Sequence, residues 1–452
     1  MLISAAHKSS GKTTITLGLC AALRSRGVTV APFKKGPDYI DPLWLGLAAG
    51  RPCYNLDFWT MESQEIRQIF TQQGAGADIT LVEGNKGLHD GLALDGSNSN
   101  AALAKLLGIP VILVVDCQGI TRGIAPLVLG YQSFDPTVQI AGVILNQVGG
   151  QRHEAKLRAA LEHYTEVPVL GAVARDSRLA IVERHLGLVP SNEAQGAVER
   201  VATIGKIVGS QVDLTALLAL ATPKPPSSAV IEPFPSPRVR IGIPQDGAFA
   251  FYYPDDLLAL RAAGAELIFF NALQTPYLPV VDGLFIGGGF PEVQMTALEA
   301  NVSLRTDIRR AIDDGLPVYA ECGGLMYLAR RIRWGEQCNT MVGALPVDVL
   351  MTPRPIGRGY VQLQETIHHP WPVVGTQQII PGHEFHYSHL ENLGEGFAFA
   401  YQMVRGVGVV HQQDGIIYRN CLACYSHQRH TRGNPWATAF VDFIHRQRLI
   451  RG

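Results

Sequence analysis

The residue with the clearest chemical potential in this sequence is Cys322. An apolar run precedes it at 316–320, and Gly-Gly-Leu-Met follows it, which predicts a strand, a sharp turn and the start of a helix. This is the pattern of a nucleophile elbow with a thiol in place of a hydroxyl, and a helix N-terminus favours the thiolate form. A lone cysteine is more often a buried structural residue. The small residues around this one favour a catalytic thiol.

A second motif with chemical potential lies near the start of the chain, at residues 9–14 (Ser-Ser-Gly-Lys-Thr-Thr). Lys12 can reach the terminal phosphates of a nucleotide, and the Thr13 hydroxyl can hold magnesium at a helix N-terminus. Alanine stands where such loops usually open with glycine, but strand, loop, Gly-Lys-Thr-Thr and helix follow in order. We therefore predict a nucleotide site rather than a solvated turn. The loop residues predicted to bind nucleotide are Ser10, Gly11, Lys12, Thr13 and Thr14.

Polar residues end three of the predicted strands, at the edge where α/β enzymes bind ligands. Glu83 ends one strand and Asp116 another. A carboxylate near a phosphate loop commonly binds magnesium, although Asp116 would equally serve as a helix cap. Asn146 ends a third strand, where its amide could either contact the adenine edge or hydrogen bond the loop backbone. We predict Glu83 as a magnesium ligand and Asn146 as a nucleotide-binding residue.

Residues 33–42 combine lysines, aspartates, glycine and proline directly after a predicted strand. Two carboxylates three residues apart, beside two lysines, could hold magnesium and a transferring phosphoryl group together. The alternative is a charged surface loop. We favour the functional interpretation, because Lys35 and Asp38 would face the same crevice as Lys12. It assigns Lys35 to the nucleotide and Asp38 to magnesium, with Thr13 and Glu83.

The thiol needs a base within about 3 Å, usually a histidine, and donors for the developing oxyanion. Two of the 14 histidines are strong candidates: His427 after a late apolar strand, and His386 in a Gly-His-Glu-Phe-His-Tyr-Ser run. Three glycines at 287–289 follow another strand. Their backbone amides, with that of Gly323, could bind a tetrahedral intermediate. The alternative is a mere tight turn, but three glycines beside an elbow favour the oxyanion role. The predicted oxyanion residues are Gly288, Gly289 and Gly323.

Two α/β domains are needed to position these residues. Continuous apolar strands separated by helices predict parallel sheets covered on both faces. A Pro- and Ser-rich stretch at 222–237 is typical of a semi-rigid linker, and the alternation restarts after it. The strands that position the candidate residues are predicted at 2–4, 28–30, 80–82, 111–115, 140–145, 239–243, 266–270, 284–286 and 318–320.

Composition excludes several classes of protein. The 452 residues are 47% hydrophobic and 17% charged with a net charge of −1, which argues against a disordered or nucleic-acid-binding chain. No apolar run is long enough to span a membrane, and the N-terminus has no signal-peptide pattern. Seven cysteines without framework spacing fit a reducing cytoplasm. The pair Cys421 and Cys424 has no second pair nearby, so we interpret both as packing residues rather than zinc ligands.

Taken together, these motifs resemble the cobyrinic acid a,c-diamide synthase family, whose members are glutamine-dependent amidases of corrinoids and related tetrapyrroles. The similarity covers nearly the whole chain. Its motifs lie at 35–42, 55–57, 83–84, 114–116, 183–190, 249–254, 288–292, 321–324 and 382–388.

The resemblance implies a dethiobiotin-synthetase-like ATP domain with a P-loop and a parallel sheet (1–221), a linker (222–237) and a flavodoxin-like class I glutamine amidotransferase-like domain (238–452). By that analogy Cys322 releases ammonia from glutamine, while the first domain uses ATP and Mg²⁺ to activate a carboxylate as an acyl phosphate. The family's Tyr-x-His motif matches residues 425–427, which selects His427 over His386. Ordinary class I glutaminases carry a glutamate two residues further on, whereas this chain has Arg429, so we predict a Cys-His dyad.

Two departures from the family pattern surround the phosphate and acceptor sites: the loop at 5–13 and the run Glu-Gly-Asn-Lys-Gly-Leu-His-Asp-Gly at 83–91. Relatives amidate cobyrinate, hydrogenobyrinate, nickel-sirohydrochlorin or sirohaem. We expect Asp41, Arg184 and His185 to face such an acceptor, although solvation of the two basic residues is equally plausible.

The expected activity is amidation of the a- and c-acetates of cobyrinate or a related tetrapyrrole. The alternatives are sirohaem or nickel-sirohydrochlorin as acceptor, and a P-loop ATPase or metallochaperone with an inactive glutaminase domain. The expected partners are small molecules (glutamine, ATP and a tetrapyrrole carboxylate), without nucleic acid or membrane, for a cytoplasmic monomer or homodimer.

Overall fold

A computed structural model describes residues 1–451 except 182, 185–186, 194–195, 222–233, 376 and 395, with backbone alone at 183–184 and 187–188. The described residues fall into two compact units. The first comprises those of Met1–Phe58 and Glu62–Val230, and the second comprises Trp59–Met61 and those of Ile231–Gly452. Most of the predicted linker, at 222–233, lies outside the described residues.

The first unit is built on a parallel sheet. Its described strands form one seven-stranded sheet in the order β3-β2-β4-β1-β5-β6-β7, and β8 and β9 form a small antiparallel pair. The central strands are largely apolar because helices cover both faces of such a sheet. The strands are β1 Leu2–Ala5, β2 Val30–Lys35, β3 Tyr54–Leu56, β4 Ile79–Glu83, β5 Val111–Asp116, β6 Ile140–Val148, β7 Val169–Ala174, β8 Glu183–Arg184 and β9 Gly187–Leu188.

The helices of the first unit connect these strands in alternation and bury one stripe each. The first of them begins at Lys12, immediately after the phosphate loop, and its buried residues pack against the sheet and against a late helix. The helices are α1 Lys12–Ser25, α2 Ile40–Ala49, α3 Ser63–Gly74, α4 Asn100–Leu107, α5 Ile124–Phe134, α6 Gln151–Tyr164, α7 Ala197–Gln211 and α8 Leu214–Ala219, with a 3₁₀ turn at Ser177–Leu179.

The second unit contains a larger, mixed sheet. Nine of its described strands form one sheet in the order β12-β10-β13-β15-β24-β23-β22-β19-β20, parallel from β12 to β24 and antiparallel beyond. The other six form a two-stranded sheet, β11-β14, and a four-stranded sheet in the order β17-β16-β18-β21. The strands are β10 Val239–Pro244, β11 Phe249–Phe251, β12 Ala265–Phe270, β13 Gly283–Ile286, β14 Gly288–Gly289, β15 Val318–Glu321, β16 Arg331–Trp334, β17 Gln337–Thr340, β18 Asp348–Met351, β19 Gly357–Glu365, β20 Ile379–His386, β21 Ser388–Glu391, β22 Ala398–Arg405, β23 Gln413–Tyr418 and β24 Cys421–Cys424.

Helices of the second unit cover both faces of the parallel part of its sheet. They are α9 Pro254–Ala262, α10 Met295–Ala300, α11 Val302–Asp313, α12 Gly323–Leu328 and α13 Trp436–Arg451. No helix among the described residues of either unit is long and apolar enough to cross a membrane.

The predicted α/β alternation is confirmed in both units. The strand predicted at 28–30 begins only at Val30, because the preceding residues form the turn that ends α1. The predicted functional residues follow the carboxyl ends of parallel strands: the phosphate loop follows β1, Glu83 ends β4, and Cys322 follows β15. The antiparallel extension β23-β22-β19-β20 has no counterpart in our prediction, and it includes the pairing of β19 with β22, which are not consecutive in the chain.

Candidate active site

The thiol lies at a strained turn between a strand and a helix of the second unit. Cys322 has φ 47° and ψ −101°, outside the regions that L-residues normally occupy. Its N–H donates to the carbonyl oxygen of Cys424 on the neighbouring strand (2.7 Å), and its own carbonyl accepts the first hydrogen bond of α12 from Met326 (3.1 Å). Such strain costs about 1–3 kcal/mol and persists only where the surrounding structure enforces it. The predicted elbow is present in the backbone.

His427 is the histidine beside the thiol. Its side chain hydrogen bonds with Cys322, and both residues are buried. Burial by itself favours the neutral ring, but the hydrogen bonds with Cys322 and Glu321 raise the pKa of His427 to about 10. These two contacts therefore favour the protonated form of the His427 ring.

His386, the other candidate base, has different partners. Its ring stacks on Tyr425 (3.9 Å between centroids) and its Nδ1 is 2.8 Å from the carbonyl oxygen of Ser388. A third histidine, His383, stacks on the ring of His427 (4.9 Å). Burial, with smaller effects of His427 and Arg429, keeps the pKa of His383 well below its usual value. A ring whose pKa is lowered therefore lies against one whose pKa is raised.

The glycines predicted for the oxyanion site lie beside the elbow. A Cβ on Gly323 would be 3.0 Å from the backbone nitrogen of Gly289, so these two backbones are in contact. A Cβ on Gly288 would be 2.6 Å from Cε1 of His427. Only glycine allows the β14 backbone to approach the histidine and the thiol turn this closely.

Sequence reasoning missed one residue of this cluster, Glu321. Its Oε2 is 3.4 Å from Nδ1 of His427, and its side chain is about as buried as that of the histidine. The available signal was an acid at the end of an apolar strand, immediately before the nucleophile. We had quoted the residue only as part of a family motif.

The phosphate loop of the first unit is organised around its lysine. Gly11 has φ 87°, which places it in the left-handed region just before α1. The ammonium of Lys12 donates to the carbonyl oxygen of His7 (3.2 Å), and Ser10 Oγ donates to the same oxygen (2.9 Å). Burial lowers the pKa of Lys12 to about 8. A negatively charged ligand would restore its full charge.

A buried ionic cluster lies beside this loop. Thr13 Oγ1 donates to Oε1 of Glu83 (2.6 Å) and contacts Oδ2 of Asp41 at 3.4 Å. Lys34, which we had not singled out, bridges the same two carboxylates. Despite its burial, the two acids hold the pKa of Lys34 well above its usual value. The cluster joins β2, β4 and the start of α1 and α2.

Two further predicted residues flank the cluster. Asp38 Oδ1 accepts from the N–H groups of Ile40 (2.8 Å) and Asp41 (3.2 Å), so it caps the start of α2. Burial, reinforced by Asp41, raises its pKa to about 7. Lys35 donates to Oδ1 of Asn85 (3.1 Å), and burial lowers its pKa to about 8. Of the two aspartates in this segment, Asp41, which the sequence assigns to the acceptor, is thus the one in contact with Thr13.

The remaining predicted residues have the following positions. Asn146 Nδ2 donates to the carbonyl oxygen of Ser10 (2.9 Å), the loop contact that the sequence left open as an alternative to adenine. Asp116 accepts from the N–H of Gln118 (3.0 Å) in a local turn. The side chain of Arg184 and all of His185 lie outside the described residues.

Comparisons with known proteins match both halves of the chain. Residues 2–189 match the model of the CobQ/CobB/MinD/ParA nucleotide binding domain, and residues 240–435 match that of the CobB/CobQ-like glutamine amidotransferase domain. The Cobyrinate a,c-diamide synthase of Magnetococcus marinus is 49% identical over 453 residues, covering 98% of this chain and 96% of that protein. The chain belongs to the cobyrinate a,c-diamide synthase family.

Archaeal members of the family are similar over the same length. The Cobyrinate a,c-diamide synthase of Methanosarcina acetivorans is 42% identical over 483 residues, covering 100% of this chain and 96% of that protein. That of Archaeoglobus fulgidus is 40% identical over 446 residues, covering 98% and 96%. This chain is therefore a glutamine-hydrolysing ligase of that family, with an ATP-using first domain and a glutamine amidotransferase second domain.

The donor set beside the phosphate loop of this family member fits Mg²⁺. Thr13, Asp41 and Glu83 converge there, and among the described residues Oε2 of Glu83 is buried without a hydrogen-bond donor. Mg²⁺ takes one or two carboxylates and completes its coordination with phosphate and water. Among the described residues, no group of three or more His, Cys, Asp or Glu side chains could by itself hold a metal ion.

Proposed function

We propose that this protein amidates the a- and c-acetate side chains of cobyrinate, or of a related tetrapyrrole, with ammonia from glutamine and energy from ATP. The observation that carries the proposal is the 40–49% identity to synthases of that name over both halves of the chain. Two sites of different chemistry support it. One is a thiol beside a histidine, and the other is a lysine loop beside a buried carboxylate cluster.

The thiol site would perform glutamine hydrolysis. Cys322 attacks the amide carbon of glutamine, and the C–N bond breaks as His427 gives its proton to the leaving nitrogen, which departs as ammonia. Water then attacks the thioester, His427 accepts a proton from that water, and glutamate leaves with the thiolate restored. Backbone N–H groups of Gly289 and Gly323 are the proposed donors to the oxyanion of each tetrahedral intermediate.

The loop site would perform carboxylate activation. An acceptor carboxylate oxygen attacks the γ-phosphorus of ATP, ADP leaves, and an acyl phosphate forms. Ammonia then attacks the acyl carbon, and phosphate leaves to give the carboxamide. Lys12 and Lys35 would neutralise phosphate charge, and Mg²⁺ held by Thr13 and Glu83 would supply further neutralisation of the phosphates.

Further assignments remain part of this proposal. Asp38 and Asp41 are the candidates for additional contacts with metal or acceptor, and Arg184 and His185 for neutralising the acceptor's other carboxylates. The seven cysteines are free thiols, which supports a cytoplasmic location. We propose that the protein acts as a monomer or homodimer.

Mass spectrometry of candidate acceptors tests the proposal directly. The protein is incubated with ATP, Mg²⁺ and glutamine, and with cobyrinate, sirohaem or nickel-sirohydrochlorin. Each amidation replaces an OH by NH₂, so two successive products are expected from cobyrinate, with ATP and glutamine consumed in step. Reactions without ATP or without a nitrogen donor are the controls. Amidation of sirohaem or nickel-sirohydrochlorin alone would overturn the assignment of acceptor, and hydrolysis of glutamine without any amidated product would overturn the ligase.

A further inference from the structure

Glu321 occupies a special position beside the thiol. It is the last residue of β15 and immediately precedes Cys322. Its Oε2 is 3.4 Å from Nδ1 of His427, and both side chains are only 3% exposed. A carboxylate buried to this extent is costly unless it is paired and hydrogen bonded. The imidazole of His427 is one of the polar partners of this buried carboxylate.

The other carboxylate oxygen of Glu321, Oε1, accepts two hydrogen bonds that hold the group in place. Oε1 accepts from the hydroxyl of Tyr319 (2.7 Å) and from the backbone N–H of Gln428 (3.0 Å). Tyr319 lies two residues earlier on the same strand, and side chains at that spacing share a face. Gln428 directly follows the histidine. With Oε1 held by donors from the nucleophile strand and the histidine segment, Oε2 is the oxygen that faces Nδ1 of His427.

Arg429, two residues after His427, pairs with an aspartate. Arg429 donates from Nε (2.9 Å) and Nη2 (2.6 Å) to Oδ2 of Asp255, and its guanidinium lies over the ring of Tyr253 (4.9 Å). This forked pair neutralises the guanidinium. Arg429 therefore does not supply a carboxylate that could pair with His427. Its own charge is offset by Asp255.

The ring of His427 is confined on other sides as well. His383 stacks on it, and the two backbones exchange hydrogen bonds (2.7 and 3.1 Å). Gly288 lies close to Cε1. With Nδ1 directed to Glu321, Nε2 is the nitrogen left for the thiol. The orientation of the ring and its tautomer then depend on the group that faces Nδ1.

We propose that Glu321 is the positioning residue of the thiol site. Its carboxylate accepts the Nδ1 proton of His427, which keeps Nε2 available to take the proton of Cys322 and to return it to the leaving nitrogen. The site is then a Cys-His-Glu arrangement whose carboxylate comes from the residue before the nucleophile. This inference rests on the proposed glutaminase activity and extends the predicted dyad.

Glu321→Gln is the sharpest test because it preserves the shape of the side chain and replaces one acceptor oxygen by an NH₂ donor. The two donors to Oε1 would hold the amide oxygen in place, so the NH₂ group faces Nδ1 and donates to it. That selects the tautomer with a proton on Nε2, which cannot accept the thiol proton. We expect kcat for glutamine hydrolysis at pH 7 to fall on the order of a hundredfold or more, with little change in KM.

The pH profile separates positioning from structural damage. Alkylation of Cys322 by iodoacetamide, measured as a rate against pH, should shift in Glu321→Gln toward about pH 8.5, where a free thiol ionises. Glutaminase activity should partly recover over the same range. Glu321→Asp keeps the charge and should retain more of the neutral-pH activity. A uniform loss at every pH, with the alkylation profile unmoved, would overturn the assignment.

Asp414→Asn is the matched control. Asp414 is also a buried carboxylate and accepts from the N–H groups of Tyr425 (3.0 Å) and Ser426 (2.9 Å), the residues that lead to His427. The Asp414→Asn substitution should lower the thermal stability of the protein and leave the alkylation profile of Cys322 unchanged. An equal shift in this control would overturn the role of Glu321. Full glutaminase activity in Cys322→Ala would instead refute the proposed function, whereas wild-type behaviour of Glu321→Gln with an inactive Cys322→Ala would refute this inference alone.

Discussion

At the scale of single residues, burial determines much of the proposed chemistry. Lys12 and Lys35 both have a pKa lowered to about 8 because burial disfavours the ammonium. Lys34, between two carboxylates, remains charged. Lys34 thus holds its proton more tightly than Lys12 and Lys35 do.

ATP binding should therefore depend on pH. Protonated lysine binds phosphate, so affinity should fall as pH rises above about 8, and ATP binding at pH 8–9 should take up protons. The dissociation constant should rise by up to about tenfold per pH unit for each lysine. Calorimetry with a non-hydrolysable ATP analogue, in buffers of different ionisation enthalpy, measures both effects. Lys35→Arg keeps its charge and should flatten the profile; a constant affinity from pH 7 to 9.5 without proton uptake would contradict the prediction.

Lys12→Ala should reduce amidation with either nitrogen donor by about a hundredfold or more, because a preorganised cation at developing phosphate charge is lost. Amidation of the acceptor is followed with glutamine and, separately, with ammonium chloride. Lys8→Ala, an exposed lysine on the same loop, is the control and should retain activity. Normal turnover in Lys12→Ala would show that this loop does not carry the nucleotide phosphates.

At the scale of elements, close backbone approach explains why glycines surround the thiol. A Cβ on Gly324, in α12, would be 2.2 Å from the carbonyl oxygen of Ile286 in β13, so the helix lies directly against the strand. Glycine at this point lets the helix start immediately after Cys322. The elbow is thus enforced by packing between elements.

Gly324→Ala should destabilise the protein by about 1–3 kcal/mol, because backbone atoms must move to admit the methyl group. Gly288→Ala should instead act on activity, since its methyl group would displace His427 and a 1 Å displacement can cost about a hundredfold in rate. Thermal unfolding and glutaminase kinetics measure the two effects. Gly433→Ala, with no atom within 4 Å of the added Cβ, is the control. Wild-type glutaminase kinetics in Gly288→Ala would contradict the position of the ring.

At the scale of the whole molecule, the two units carry two separate chemistries. The thiol cluster lies within the second unit and the phosphate loop within the first. Each unit has its own sheet and its own buried core. A mutation confined to one site should therefore remove one half-reaction.

Cys322→Ala tests this division of labour. It should abolish glutamine-dependent amidation and retain amidation from free ammonia at near wild-type rate, because the carboxylate-activating residues are unchanged. Product formation with each nitrogen donor is measured alongside circular dichroism, which checks folding. Loss of the ammonia-dependent reaction in a folded variant would contradict the separation of the two activities.

The sequence by itself determined the α/β class, the two chemical motifs and the family. Local signals carry these: apolar runs of strand length, Gly-Lys-Thr-Thr before a helix, and Cys-Gly-Gly after a strand. The tertiary structure decided which side chains meet. The partners of His427 and Thr13 come from segments far apart in the chain, so no local pattern could identify Glu321 at Nδ1, Lys34 between two acids or Asp41 beside the threonine. Spacing along a chain fixes which elements form, whereas packing of those elements fixes the distances on which proton transfer and charge stabilisation depend.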